Sequence, residues 1–364
     1  MAPVVRALKR SPVLETLVCV TAQHRAMLDQ VLDLFAITPD FDLDLMKERQ
    51  TVAGVTGAVL AEVTQVLEIS RPDLTLVHGD TTTAFATGLA CFYRHIPVGH
   101  VEAGLRTHDL RAPWPEEFNR RAVDMTADIL WAPTDGAADA LRKEGVAGRK
   151  IFVTGNTVID ALNLACEALD ADPSLSRRLA QQLPPFSPSR RMVLVTGHRR
   201  ESFDGGLANI CRALNAIASR ADVEVIWPVH RNPVVLETVA QVLRRTGNIH
   251  LIEPTDYLSF VELMRRSHLI ITDSGGIQEE APTLSKPVLI TRDETERPEV
   301  VTVGAARLVG TNPETIVMAA ETLLDDADAY RKMADVENPF GDGRASARIV
   351  ESIEAWPFAV RGEP

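Results

Sequence analysis

The chain has 364 residues, 45% of them hydrophobic and 24% charged, an ordinary globular balance that predicts about two domains for its length. A net charge of −12 with no long basic run argues against nucleic-acid and anionic-membrane partners, so any phosphate ligand has to be held by local arginines and helix termini. Cys19, Cys91, Cys166 and Cys211 are scattered without a CxxC pair, which speaks against structural zinc and a disulfide framework and suits a reducing cytosol. No signal-like start is visible, nor an apolar run near the roughly 20 residues that span a bilayer, so a soluble cytoplasmic protein is expected.

Residues 3–9 have the spacing of a helix and 14–21 (LETLVCVT) the character of a strand; helical spacing returns at 27–35 and, for longer, at 52–67. Buried-strand runs at 74–77, 97–101, 129–132 and 151–154 alternate with helices at 81–93, 118–127 and 136–144. Pro173, Pro184, Pro185 and Pro188 then fall in a polar stretch, 171–191, that reads as the opening of a second domain. Strands resume at 192–196, 223–227, 249–252, 269–272, 287–291 and 306–309, and 345–354 reads as a last helix packing back on the first domain. The alternation calls for parallel sheets covered on both faces. The expected architecture is therefore α/β, with two doubly wound Rossmann-like domains at 1–170 and 171–344 and a ligand cleft between them. The start is unusual, because an α/β domain normally opens with a strand whose carboxyl end builds part of the ligand site, and this chain opens inside a helix.

The stretch 269–300 carries the densest signal. An apolar strand (LIIT) runs into Asp273-Ser274-Gly275-Gly276 and then into helical spacing from Ile277 to Leu284. Strand, glycine turn and helix start bring free N–H groups and a positive dipole end to one point, which suits a diphosphate. Glu279 and Glu280 would weaken an anion site if they faced it, so at least one is expected to meet neutral hydroxyls such as those of a ribose. A charged loop, 292–299, follows the next strand. The ordered combination reads as a nucleotide-diphosphate grip.

Other polar clusters also sit directly after apolar strands, where open α/β sheets place ligands. They are His78-Gly79-Asp80, His100 to Arg106 and Pro115 to Arg120 in the first half, and Gly197 to Ser202 and Pro228-Val229-His230 in the second. Carboxylates from one domain facing histidine, arginine and Ser-Gly-Gly from the other suggest proton transfer beside phosphate binding. Each residue alone has a plainer reading. Asp80 suits a helix cap, Arg106 an ion pair with Glu102, Arg120 a helix-face pair with Glu116, and Arg297 a surface charge. A metal is disfavoured because no HExxH or comparable ligand spacing occurs, and a nicotinamide site because no strand leads into GxGxxG.

In this order the strings MAPVVRAL (1–8), HGDTTT (78–83), GHVEAGLRT (99–107), PWPEEFNR (113–120), TGNTVIDAL (154–162), TGHRRESF (196–203), PVHRNP (228–233), TDSGGIQEEAP (272–282) and ERPE (296–299) resemble the non-hydrolysing UDP-N-acetylglucosamine 2-epimerases. The resemblance runs to about residue 312. It implies a two-domain architecture of the glycosyltransferase-B type, a homodimer, and interconversion of UDP-GlcNAc and UDP-ManNAc without cofactor or metal, supplying ManNAc for surface polysaccharide. It implies acid/base roles for Asp80, Glu102 and Glu116, and diphosphate or sugar contacts for Arg120, His198 and Arg297, with His198 counted among the catalytic groups. Ser274, Gly275 and Gly276 would take the diphosphate, Glu280 the ribose, and His230 and Phe260 the cleft lining. A second, activating UDP-GlcNAc site is implied at Gln23, His24, Arg49, Gln50 and Arg199, with Ala26 standing where the family often has a larger polar residue.

The family begins with a strand and a GTRPEAIK-like loop ahead of the MAPVV segment, and both are missing here. An internal methionine taken as the start is the expected reason, and the chain as written is expected to be unstable or nearly inactive until they are restored. The competing expectations are a hydrolysing relative releasing UDP and ManNAc, a glycosyltransferase of the same architecture, and a non-catalytic UDP-sugar-binding protein.

Overall fold

A computed structural model describes residues 1–22, 25–45, 50–184, 187, 189–197, 205–244 and 246–358. The chain divides into two compact units, Met1–Ala161 with Phe340–Pro364, and Leu162–Pro339. The first division falls inside a helix about ten residues before the composition shift, because the proline-bearing stretch is not a bare linker.

Unit 1 contains α1 (Ala2–Leu8), β1 (Cys19–Val20), α2 (Arg25–Leu34), β2 (Phe41–Asp42), α3 (Val52–Ser70), β3 (Thr75–His78), α4 (Thr82–Tyr93), β4 (Val98–Val101), α5 (Glu116–Thr126), β5 (Ile129–Ala132), α6 (Asp135–Lys143), β6 (Ile151–Val153) and the first residues of α7 (Thr157–Ala171). Strands β3-β4-β5-β6 form a parallel sheet in chain order, and β1 pairs with β2 in a separate parallel ladder. Residues 14–18, expected to extend β1, make no such ladder; the Val18 N–H donates instead to the Asp40 carboxylate at 2.7 Å.

Helix α3 corrects the reading that no segment is long and apolar enough to span a bilayer. It has 19 residues and a mean hydropathy of 1.4 over its most apolar window. In the structure it is capped by the Thr51 side chain and buries Val59, Val63 and Leu67 in the cluster that α4 and the sheet share, with Val66 buried as well. With 22% of that window buried, core packing accounts for one stripe of the helix.

Unit 2 contains the rest of α7, then α8 (Pro173–Gln182), β7 (Arg191–Thr196), α9 (Gly206–Ile217), β8 (Val223–Pro228), α10 (Pro233–Val242), β9 (Ile249–Ile252), α11 (Tyr257–Arg266), β10 (Leu269–Thr272), α12 (Gly275–Glu280), β11 (Val288–Ile290), α13 (Pro298–Thr302), β12 (Ala306–Leu308), α14 (Pro313–Asp325) and α15 (Ala327–Ala334). Its strands pair in parallel in the order β12-β11-β10-β7-β8-β9, so β7 and β10 lie at the centre and the order reverses there. Such a switch point is where open α/β sheets hold ligands at the carboxyl ends of their strands. The fold class is the expected α/β with parallel sheets. The stretch expected to open the second domain holds helix α8, which was not assigned from the sequence; Asp172 accepts from the Ser174 and Leu175 N–H groups, and Pro173 occupies a first-turn position that a proline tolerates.

The last helix, α16 (Ala345–Glu354), belongs to unit 1. It buries Ile349, Val350 and Ile353 against Val4, Leu8, Val101 and Trp131, and the Trp131 indole donates to Ser352 Oγ at 2.7 Å. The Asp160 carboxylate caps its start, accepting from Ala345 N–H at 3.2 Å and Ser346 N–H at 2.7 Å.

Candidate active site

In unit 1 the polar residues gather at the carboxyl ends of β3, β4 and β6 because α5 draws them together. Its inner face carries Glu117, Asn119, Arg120 and Asp124, all buried, beside the apolar Val123. Arg120 reaches Asp80: its Nε is 3.1 Å from Oδ2, and its Nη2 donates to the same oxygen. Its Nη1 lies 3.0 Å from Glu117 Oε2, and the Asn119 amide donates to the Asp80 carbonyl at 2.9 Å. Glu117, wholly buried, also accepts from the Thr107 and His108 N–H groups at 3.1 and 3.3 Å, which ties the loop after β4 to the same helix. Buried charges of this kind need partners on every side, and here they have them.

Glu102 directly follows β4 with φ of 68°, the left-handed region that a side chain with a Cβ adopts at a cost. Its carboxylate stands 3.4 Å from His78 Nε2 and accepts from the Asn156 amide at 3.3 Å. Burial lowers the His78 imidazole below its ordinary value, which leaves the pair short of a full ion pair. Gly104 completes the turn with φ of +88°, and a Cβ there would lie 2.3 Å from the Ala137 carbonyl oxygen. Glu116 opens α5 on its first turn and is half-buried.

Three local pairings differ from expectation. Thr81, not Asp80, caps α4 through its side chain, which frees the Asp80 carboxylate for Arg120. Arg106 pairs with Asp124 at 2.7 Å and Glu144 at 2.7 Å rather than with Glu102, since the left-handed turn points Glu102 elsewhere. Arg120 takes Asp80 and Glu117 rather than Glu116, because Glu117 lies one turn back on the buried face.

Unit 2 holds the second constellation. Ser274 is the extended N-cap residue of α12, and the first N–H groups of a helix have no intrahelical acceptors. Arg297 lies across Gly275 so closely that a Cβ there would meet Nη1 at 2.8 Å, and its Nε donates to Glu279 Oε1 at 2.8 Å. Arg297 is therefore not a surface charge. The loop before it is laced to α12 through Thr295 Oγ1, which donates to Gln278 Oε1 at 2.6 Å and accepts from the Arg297 N–H at 3.1 Å. Helix α12 ends at Glu280, sooner than the spacing suggested, because Pro282 cannot donate and the chain continues as a 3-10 turn. Glu280 accepts from the Tyr257 hydroxyl at 2.7 Å, and burial pushes its carboxyl up to about 7. Phe260, half-buried, lies on α11 with Tyr257, and His230, exposed, follows β8, its Nδ1 accepting from the Asn232 N–H at 3.1 Å. His198, Gln23, His24, Arg49 and Arg199 lie outside the described residues; Gln50 donates to the Leu45 carbonyl at 2.9 Å.

The family model described as UDP-N-acetylglucosamine 2-epimerase matches residues 6–354. The chain belongs to the UDP-N-acetylglucosamine 2-epimerase family. It is 54% identical over 357 residues to a probable UDP-N-acetylglucosamine 2-epimerase of Ralstonia nicotianae, covering 98% of this chain and 95% of that one. With the UDP-N-acetylglucosamine 2-epimerase of Salmonella typhimurium the identity is 50% over the same shares. Among solved structures, that of the UDP-GlcNAc 2-epimerase from Neisseria meningitidis bound to UDP-GlcNAc is similar with a TM-score of 0.91 and 45% identity, covering 98% of this chain and 96% of that one.

Of the supporting residues, Glu117 and His100 fall inside polar clusters singled out from the sequence without a role of their own, whereas Asp124 in unit 1 and Tyr257 in unit 2 were missed. A signal for the first existed. Glu117, Arg120 and Asp124 recur at three- and four-residue spacing on the same helical face as Val123, so charges at core positions were legible as a buried network. Nothing comparable marks Tyr257.

Proposed function

We propose that this chain interconverts UDP-N-acetylglucosamine and UDP-N-acetylmannosamine by inverting C2 without net hydrolysis. The observation that carries the reading is the buried α5 face that clamps Asp80, in a chain of this family, beside a Glu102 held in a left-handed turn. The C2 proton of the sugar is weakly acidic, so its removal needs a positioned carboxylate and a leaving group that departs easily. In this mechanism a carboxylate among Asp80, Glu102 and Glu116 takes the proton, and the C2–H electron pair becomes a C1=C2 double bond. UDP leaves with the C1–O pair, giving a glycal. Protonation at C2 on the other face and return of the UDP oxygen to C1 complete the epimerisation, with atoms and charge conserved.

The α12 start and Arg297 would hold the diphosphate, since a guanidinium forms the stronger charge-assisted bonds to phosphate oxygens, and Glu280 the ribose hydroxyls. The protein is read as a cytoplasmic enzyme that needs neither metal nor cofactor for this chemistry. It is read as a homodimer. Ile69 on α3, Phe92 and Tyr93 on α4 and Met125 on α5 are 58–81% exposed on helices of one unit, apolar surface that a second copy would cover. A second UDP-GlcNAc site around Gln50 would make the enzyme activated by its own substrate.

Proton NMR of UDP-GlcNAc in heavy water with the chain tests the reading. Deuterium at C2 together with UDP-ManNAc is expected. Free UDP and ManNAc would transfer the chain to hydrolysing chemistry, and UDP binding without C2 exchange would reduce it to a binding protein.

A further inference from the structure

His100 lies within β4 with its side chain wholly buried. Its two ring nitrogens face two oxygens: Nδ1 is 2.6 Å from Asp124 Oδ1, and Nε2 is 2.9 Å from the Gly79 carbonyl. Asp124 is an acceptor on its other side as well, taking the Arg106 guanidinium at 2.7 Å and the Gly104 N–H at 3.3 Å on Oδ2. A carbonyl cannot donate, and this carboxylate is already accepting, so both contacts are hydrogen bonds when the ring carries a proton on each nitrogen.

What the pair holds is more telling than the pair itself. The Gly79 carbonyl belongs to the residue immediately before Asp80, and the Gly104 N–H lies two residues after Glu102. One buried unit thus ties the turn after β3 to the turn after β4. The two turns approach closely: a Cβ added on Gly79 would sit 3.0 Å from Glu102 Oε2. Buried ion pairs contribute little net stability compared with apolar residues of the same volume, so stability is a weak reason for a charged pair in this core. Geometry is a better one. Facing the same groups are Glu144, which shares Arg106 with Asp124, and Arg121, which reaches Glu144 at 3.5 Å.

We infer that His100 and Asp124 are positioning residues for the epimerisation, cross-tying the Gly79 and Gly104 turns and so fixing the separation of the Asp80 and Glu102 carboxylates. The pair acts through those turns and touches no reacting atom. This rests on the assignment of Asp80 and Glu102 as proton-transfer groups in the function proposed above.

The test uses the full chain with His100→Asn, His100→Gln and Asp124→Asn. Asparagine places an amide near the Nδ1 position and glutamine near Nε2, so only His100→Gln keeps a donor for the Gly79 carbonyl. In His100→Asn and Asp124→Asn, kcat and the C2 deuterium-exchange rate are expected to fall about 10²-fold, the cost of moving reacting groups by about 1 Å. UDP affinity stays within about twofold, because neither residue is among those assigned to the diphosphate or the ribose, and a loss confined to kcat marks the chemical step. His100→Gln is expected to retain about tenfold more activity than His100→Asn, a rescue that a merely structural role would not give. Folded variants with wild-type kcat, or a loss carried equally by UDP affinity, overturn the inference while leaving the epimerase reading intact. A wild type without C2 exchange removes the reaction the pair would serve and overturns both. Should the variants not fold, the ¹⁵N spectrum of the wild-type His100 ring decides: two protonated nitrogens uphold the cross-tie, and one overturns it.

Discussion

Gly275→Ala isolates the diphosphate grip with the smallest side chain available. The added Cβ would lie 2.8 Å from Arg297 Nη1, 2.9 Å from Cζ and 3.2 Å from Nε, so the guanidinium must move. It is the flexible end of a side chain, and it gives more easily than the backbone of α12. The movement strains the 2.8 Å bond from Nε to Glu279, whose carboxylate is buried. Weakening a hydrogen bond to a charged group costs about 1.5–3 kcal/mol. Alanine in place of glycine in a helix returns about 0.8–1 kcal/mol. The second offsets only part of the first, and stability is expected to fall by about 0.5–2 kcal/mol. Affinity for UDP has no such compensation. Losing the charge-assisted contacts of a displaced arginine, about 1.5–3 kcal/mol, raises the Kd about 10- to 100-fold. Isothermal titration of UDP, with urea unfolding run in parallel, separates the two effects. A variant as stable as wild type that binds UDP with unchanged affinity would refute the role given to Arg297. Equal losses in Gly275→Ala and Arg297→Ala would support it.

Glu280, proposed above to hold the ribose, would make UDP binding a proton-linked event. Its folded-state carboxyl sits at about 7, above the roughly 4.3 of an unfolded glutamate. The folded protein therefore keeps a proton that the unfolded chain has lost, and this group's contribution to stability is present below about pH 4.3 and lost as pH rises to about 7. Ribose hydroxyls donate to the ionised form, so UDP binding near pH 7 is expected to release a proton and to weaken up to about tenfold per pH unit below that; calorimetry in buffers of different ionisation enthalpy reads the release, which Glu280→Gln abolishes. Arg106→Met leaves Asp124 in a site where both side chains are only 2% exposed, and urea unfolding is expected to show a loss of about 3–5 kcal/mol. Tyr93→Glu puts a charge on the apolar helix face and is expected to convert a dimer to monomer in sedimentation velocity, with the C2 exchange chemistry of each chain still measurable.

The sequence announced elements where one physical signal dominated and was silent where two competed. Strands β3, β4, β5, β7, β8 and β10 are apolar or β-branched runs ended by glycine, proline or polar residues, and each was legible because a strand buried on both faces leaves no room for another pattern. The 14–18 segment shares that composition but forms no ladder, since composition does not say whether a partner strand lies alongside. Helix α8 was hidden by its proline content, although Asp172-Pro173 is itself a start signal.

The site divides in the same way. Asp80, Glu102 and Arg297 stood out as members of ordered polar clusters that follow strands rather than singly, since each alone had a plainer structural reading. What holds them was not legible, because a contact such as Arg120 to Asp80 spans 40 residues and depends on which face of α5 turns inward. That face is where the argument comes together. Four polar side chains occupy the positions at which a core helix ordinarily presents leucine or valine; Asn119 and Arg120 both reach Asp80, Glu117 the loop at Thr107 and Asp124 the Gly104 turn. A fold selected for stability alone would fill those positions with apolar residues. One that must keep two carboxylates at a fixed separation gains from spending core volume on hydrogen bonds, which have direction where hydrophobic contacts have none.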